Sequence, residues 1–237
     1  MTVDCLFTGK LDGDVSSLVT VSGCRDSAET TLSIASTLVP HGLVDLLLAD
    51  GVTTVIEEEN HHNATDRFTN SANDALKPPS WVLHGTSAQF TGPLPQQVVI
   101  ETTFWYDQSL LRKFGGSSSR TKAWLARVAE LSKPRLVEPS LNVKMDLKIE
   151  SVRKSSLTLK ADEPNIYKIQ GLKSNVNYIN SYFCYDLGSG IIGIAFVGTA
   201  CDKNGYAVNI NEYYTERNSE LSSARVFVHE LGHNIGM

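Results

Sequence analysis

The pentapeptide His229-Glu-Leu-Gly-His233 constrains this chain more than any other feature. Histidines four residues apart stand one turn above the other on one face of a helix, close enough to share an ion, whereas a strand would hold them about 13 Å apart. The segment therefore reads as a helix whose two imidazoles can reach one metal ion. Glu230 lies between them in sequence, placed to hold a metal-bound water and take its proton. Ala224, Phe227, Val228, Leu231 and Ile235 recur at helical spacing and give the helix an apolar stripe, with the histidines on its flank. Ser222 or Ser223 is expected to cap its start. Gly232 keeps the helix slim beside the metal, and Gly236 offers an exit through a left-handed turn. The bland alternative is a surface helix with solvated histidines. The stripe and the glycine after the second histidine weigh against it.

The rest of the composition is that of a soluble globular chain of one or two domains: 237 residues, 41% hydrophobic, net charge -5. The acidic balance and the lack of any basic run exclude a nucleic-acid footprint. The most apolar stretch, Leu43 to Ile56, is short and carries Asp45 and Asp50, so no membrane contact is expected in this segment. Met1 is followed by Thr-Val-Asp-Cys rather than by a basic and then apolar leader, so no signal peptide is read here. The four cysteines fall into two local couples, Cys5 with Cys24 and Cys184 with Cys201, neither with C-x-x-C spacing. Two local disulfides would each contribute about 3 kcal/mol in the chain-entropy model. Buried thiols in a cytosolic chain are the other reading. The glycosylation sequon at Asn63-Ala-Thr65 tips the balance toward the secretory pathway.

Along the chain, short strands are expected at Cys5 to Gly9, Ser17 to Ser22, Thr31 to Ser36, Leu43 to Leu48 and Val52 to Glu57, separated by turn formers such as Asp12-Gly13 and Asp50-Gly51. From about Glu58 to Pro95 periodicity dissolves into a polar, proline- and asparagine-rich stretch, the expected linker between two domains. His61-His62 within it makes a poor chelate, being adjacent residues in a loop. The second half alternates between elements. A strand is expected at Val98 to Trp105, then a short helix capped by Asp107 and ended by Gly115-Gly116. Ser119 to Leu131 is a helix with Trp124, Val128 and Leu131 on one face, closed by Pro134. Leu141 to Ile149 alternates apolar and polar side chains as a half-buried strand. A helix around Asn165 to Ser181, strands at Gly190 to Thr199 and Tyr206 to Asn211, and the histidine helix complete an α/β layer.

With these elements in order, the chain from about Gln96 resembles the reprolysin (adamalysin) branch of the metzincin zinc endopeptidases, the group that contains the ADAM proteins. The resemblance rests on Val98-Val-Ile-Glu-Thr-Thr-Phe-Trp-Tyr-Asp107, on Gly193-Ile-Ala-Phe-Val-Gly-Thr-Ala-Cys201 and on the terminal H-E-L-G-H-N-I-G-M. Cys201 followed by Tyr206-Ala-Val-Asn-Ile is similar to arthropod-type secreted members. Cys5-Leu-Phe-Thr-Gly9 and Ser22-Gly-Cys24 are similar to elements near the end of an ADAM-type propeptide. The resemblance implies a metzincin-like α/β catalytic domain over residues 96–237, preceded by a partial, β-rich propeptide over 1–57 and a linker over 58–95. It implies Zn2+ as cofactor, His229 and His233 as ligands, Glu230 as general base, and Gly193, Ile194 and Ala195 on the strand edge that pairs with an extended protein or peptide substrate. Together with proximity it implies disulfides Cys5–Cys24 and Cys184–Cys201, although in relatives the cysteine after the edge strand can take a more distant partner.

There are departures from the family pattern. A third histidine ligand would fall at the second position after Met237, and the methionine turn beneath the site later still. On that expectation the chain as given has little or no peptidase activity by itself. The linker holds no cysteine to restrain the zinc, and no paired-basic processing site precedes Gln96; Arg112-Lys113 lies inside the catalytic domain. Two rival readings differ in class. One is a catalytically silent binding protein on the same fold, against which the retained base argues. The other is a zinc enzyme whose last ligand is a distant glutamate, which the glycine at 236 disfavours.

Overall fold

A computed structural model describes residues 6–11, 14–22, 31–35, 74–79, 96–137, 143–160, 163–170, 178–185, 191–213 and 219–237. The chain divides into two compact units, Met1–Thr65 and Asp66–Met237. In the first, β1 (Leu6–Leu11), β2 (Asp14–Ser22) and β3 (Thr31–Ala35) form an antiparallel sheet in that order. The central strand, with Val15, Val19 and Val21, pairs Phe7 with Val21 on one side and Val21 with Leu32 on the other. The strands expected at Leu43 to Leu48 and Val52 to Glu57 lie outside the described residues, as do Cys5, Cys24, Asn63 and His61-His62.

The second unit is built on a six-stranded mixed sheet. Its strands are β4 (Ala75–Leu76), β5 (Gln97–Tyr106), β6 (Lys144–Lys154), β7 (Ile179–Cys184), β8 (Gly193–Phe196) and β9 (Val208–Glu212), in the order β4-β8-β9-β7-β5-β6. β6, β5, β7 and β9 run parallel, β8 is antiparallel to β9, and β4 is parallel to β8. Helices α1 (Gln108–Lys113), α2 (Ser118–Ser132), α3 (Glu163–Gln170) and α4 (Ser219–Asn234) accompany it. Successive residues of a strand face opposite ways, and both faces are filled. On one, Phe104 and Phe183 meet Phe227 of α4 and Trp124 of α2 in a chain of ring contacts. On the other, Tyr182, Ile194, Phe196, Val208 and Ile210 pack with Ile166 and Ile169 of α3. The result is three layers, an α/β fold with its last helix on the sheet.

Local chemistry explains most element ends. Asp107 caps α1, its Oδ1 accepting from Leu110 N at 2.9 Å and Ser109 Oγ at 2.6 Å. Its Oδ2 accepts from Leu159 N at 3.1 Å, tying the loop after β6 to the same cap. Two expectations are corrected. The helix around Asn165 to Ser181 stops at Gln170, and Ile179–Cys184 is a strand whose six residues are all buried between β5 and β9. Central-strand burial of Ile179, Tyr182 and Phe183 overrides the helical period. α4 begins at Ser219, so Ser222 and Ser223 lie inside the helix, both buried, rather than at its cap position. α2 ends at Ser132, ahead of Pro134 as expected, and a 3-10 turn, Lys133–Val137, follows it directly.

The Cys184–Cys201 bond is also not formed. Cys201 is an exposed thiol in the turns after β8, and the Cys184 thiol is buried, donating to Asn211 O at 3.9 Å. Register supplies the reason. Cys184 pairs with Glu212 at the C-terminal end of β9, whereas antiparallel β8 leaves β9 at its other end, beyond Asn209. A strand of that length spans more than about 10 Å, well outside the Cα separation a disulfide bridges.

Candidate metal centre

α4 forms because apolar side chains recur on its sheet face: Ala224, Phe227 and Leu231 are fully buried. The helix ends as its glycine requires. Gly236 has φ 90, Gly236 N donates to His233 O at 2.9 Å and Met237 N to Gly232 O at 2.9 Å, a paired-bond terminus that only a left-handed residue closes. A side chain at Gly232 would meet Met237 Cβ at 3.8 Å, an ordinary contact, so that glycine is not sterically required among the described residues. The last turn is also clamped from the sheet. Gly198 N and Ala200 N, in the turns leaving β8, donate to His233 O and Asn234 O at 2.8 and 2.9 Å.

The two histidines meet as their spacing predicts. Their Nε2 atoms lie 3.2 Å apart and the rings stand nearly perpendicular. A third group joins them from far away in sequence. Asp74, one residue before β4, places Oδ2 3.1 Å from His229 Nε2 and Oδ1 3.4 Å from His233 Nε2. The three side chains make a convergent donor set. Tetrahedral zinc with nitrogen and oxygen ligands at about 2.0–2.1 Å spaces those ligands about 3.3 Å apart. The 3.2 Å between the two Nε2 atoms matches that spacing, and Asp74 brings one carboxylate oxygen near each of them. Two imidazoles and a carboxylate are also the donor types that such a cation takes.

Glu230 is turned away from solvent, 1% exposed, and lies flat against β8. A Cβ on Gly193 would overlap Glu230 Oε1 and stand 2.6 Å from Cδ and 2.7 Å from Cγ, so only glycine leaves room for this carboxyl. Its Oε2 is buried and has no hydrogen-bond partner among the described residues. Burial drives its pKa well above the ordinary 4.5, and the negative charge of Asp74 adds to the rise. His233 is raised from 6.5 by its hydrogen bond to Asp74, against a smaller lowering by burial. Such an orphaned buried carboxyl beside converging ligands suits a group whose partner is a metal-bound water.

Behind the ligands runs a buried amide network. Asn234 Nδ2 reaches Phe196 O at 3.0 Å, Val208 O at 3.1 Å and Thr199 Oγ1 at 3.3 Å. Its Oδ1 accepts from Asn209 Nδ2 at 2.7 Å, and Asn209 Oδ1 accepts from Asn211 Nδ2 at 2.7 Å. The network fixes the last turn of α4 against β8 and β9 and so fixes His233. Ile194 and Ala195 are buried in β8, and the outer edge of that strand is paired: Ala195 N donates to Asp74 O and Val197 N to Leu76 O, both at 2.9 Å. Sequence reading finds His229, His233 and Glu230 but misses Asp74 and Asn234. Asp74 sits in a stretch without motif or period; Asn234 is adjacent to a ligand but carries no pattern of its own.

Residues 134–237, which hold β6 to α4, match the model of the metallo-peptidase family M12B, reprolysin-like. The match supports a metallopeptidase domain of reprolysin type. No curated protein matches the chain. Among solved structures, one described as the structure of a chaperone-substrate complex matches at 16% identity and a TM-score of 0.45, covering 60% of this chain. This chain spans 24% of the length of that one.

Proposed function

We propose that this chain carries part of the catalytic domain of a zinc-dependent metalloendopeptidase that hydrolyses peptide bonds in proteins. One observation carries the reading: two imidazole nitrogens 3.2 Å apart flank in sequence a buried carboxyl, Glu230, on the segment that matches a metallopeptidase family. His229 and His233 would hold the zinc, with α4 setting their spacing and the Asn234 network fixing the last turn of that helix. Bound zinc lowers the pKa of its water and polarises the scissile carbonyl. Glu230 accepts the water's proton at its carboxyl oxygen and later returns it to the leaving amine. Burial raises the pKa of this carboxyl, which makes its ionised form the better acceptor for that proton. Main-chain groups of the strand that carries Gly193, Ile194 and Ala195 would orient an extended peptide once the pairing with β4 is released, since a strand edge binds backbone without regard to sequence. Residence in the secretory pathway rests on the Asn63 sequon. Against a silent binding protein stands the cost of burying Glu230 with an unpartnered oxygen, which binding alone does not need.

The test compares Glu230→Gln with His229→Ala and His233→Ala, reading zinc content by elemental analysis beside cleavage of an unfolded protein in the full-length protein. Glu230→Gln keeps the zinc and loses activity by a factor of about a hundred or more, because the amide cannot take the proton. The histidine variants lose metal and activity together. Turnover preserved in Glu230→Gln would remove the base from the mechanism.

A further inference from the structure

The expected linker does something a linker need not do. Residues 74–79 enter the second unit, and Ala75–Leu76 adds a strand to the outer edge of β8. The two main-chain donors that β8 offers there, Ala195 N and Val197 N, are both taken, by Asp74 O and Leu76 O. At the head of this strand the Asp74 side chain, 6% exposed, reaches the two histidine nitrogens. Edge and metal ligands are thus engaged at once by one short piece of chain.

We propose that this segment holds the site shut, with the Asp74 carboxylate as a third metal ligand and Ala75–Leu76 in the place of an extended peptide on β8. The inference rests on the metallopeptidase reading above. Three features make the segment an inhibitor rather than a substrate. What it presents to the metal is a side-chain carboxylate, which takes a coordination position that a carbonyl or water would need. The main-chain carbonyl of Asp74 is engaged elsewhere, accepting from Ala195 N, so it is not presented to the metal. The segment is also tethered to the same chain, which gives it an effective concentration on the order of millimolar that a dilute substrate must exceed. The sequence has no cysteine between 58 and 95 to restrain a metal, and the carboxylate supplies that function by different chemistry.

The test uses the whole chain with Zn2+ and, in parallel, Co2+ as a spectroscopic probe. Asp74→Ala and the shape-conserving Asp74→Asn are compared with wild type and with His233→Ala. Zinc affinity is read by competition with a chromophoric chelator, and access by the binding of a small peptide hydroxamate to the metal-loaded protein. Removing the Asp74 carboxylate weakens zinc binding by about ten-fold or more, as losing a ligand should. It also shifts the visible Co2+ bands and tightens hydroxamate binding by a similar factor. If His233→Ala abolishes metal binding while both Asp74 variants keep wild-type zinc and hydroxamate affinities, the lock is disproved and the metal site stands. If His233→Ala leaves zinc affinity unchanged, the metallopeptidase reading itself falls.

Discussion

Gly193 and Glu230 show how far a single missing side chain can decide chemistry. The carboxyl lies where a Cβ on residue 193 would be, so Gly193→Ala must displace either the base or the strand. We expect that variant to keep its zinc and to lose activity by a factor of about a hundred, since misplacing a reacting group by roughly an ångström has that effect. The loss should fall on kcat with little change in KM, measured by steady-state cleavage; an unchanged kcat would mean that Glu230 has another place to go. Glu230 also carries a pH signature when the metal is removed. Its folded pKa lies above the ordinary 4.5, so the folded state holds the proton longer than the unfolded chain does. Stability is therefore greatest below 4.5 and declines as pH rises from there toward the raised folded value. His233, raised from 6.5, acts in the same direction: its contribution is complete below 6.5 and disappears as pH rises through the folded value. The chelator-treated chain should melt at a lower temperature at pH 8 than at pH 5, and Glu230→Gln should reduce that fall. A melting temperature that rose across this range would contradict both assignments. Of these residues the sequence makes the histidines and the glutamate legible, because a helix converts a spacing of four into contact. Asp74 is not legible, since 155 positions separate it from His229 and only the folded sheet brings them together.

Among the elements, α4 depends on a polar anchor as much as on its apolar face. Asn234 is 0% exposed and serves Phe196 O, Val208 O, Thr199 and Asn209 together. Asn234→Ala removes the Asn234 contacts of Val208 O and the Asn209 amide, while Phe196 O keeps Thr199 Oγ1, at about 1–3 kcal/mol for each group left unsatisfied. We expect a loss of at least about 2 kcal/mol in urea denaturation, with zinc affinity falling alongside because His233 loses its support. An Asn234→Ala variant as stable as wild type would show that the network is dispensable. Elements were readable where one face or a capping residue dominates: β5, the Asp107 cap of α1, and the Trp124 face of α2. β7 was not, because a strand buried on both faces has no alternation to display, and Ile-Asn-Ser-Tyr-Phe-Cys also fits a helical period. The same limit applies to β4, whose two residues are too few for any pattern.

At the scale of the whole molecule, the donors converge from distant parts of Asp66–Met237, so metal binding and folding of this unit are linked. A ligand that binds only the folded form at a hundred times its Kd adds about 2.7 kcal/mol of stability. Zinc at that excess should raise the melting temperature of the chain, and the rise should vanish in His233→Ala; an equal rise in both would place the ion elsewhere. No described helix is long and apolar enough to cross a membrane. The joint between β8 and α4 has a mechanical consequence. Backbone amides just past β8 grip the carbonyls of His233 and Asn234, and Asn234 grips β8 in return. Strand and helix are therefore riveted at one point, so a tug on β8 by anything lying along it is felt as a displacement of His233. The groove and the metal are gears on one shaft: whichever chain occupies the strand, its grip is transmitted to the geometry of the ion.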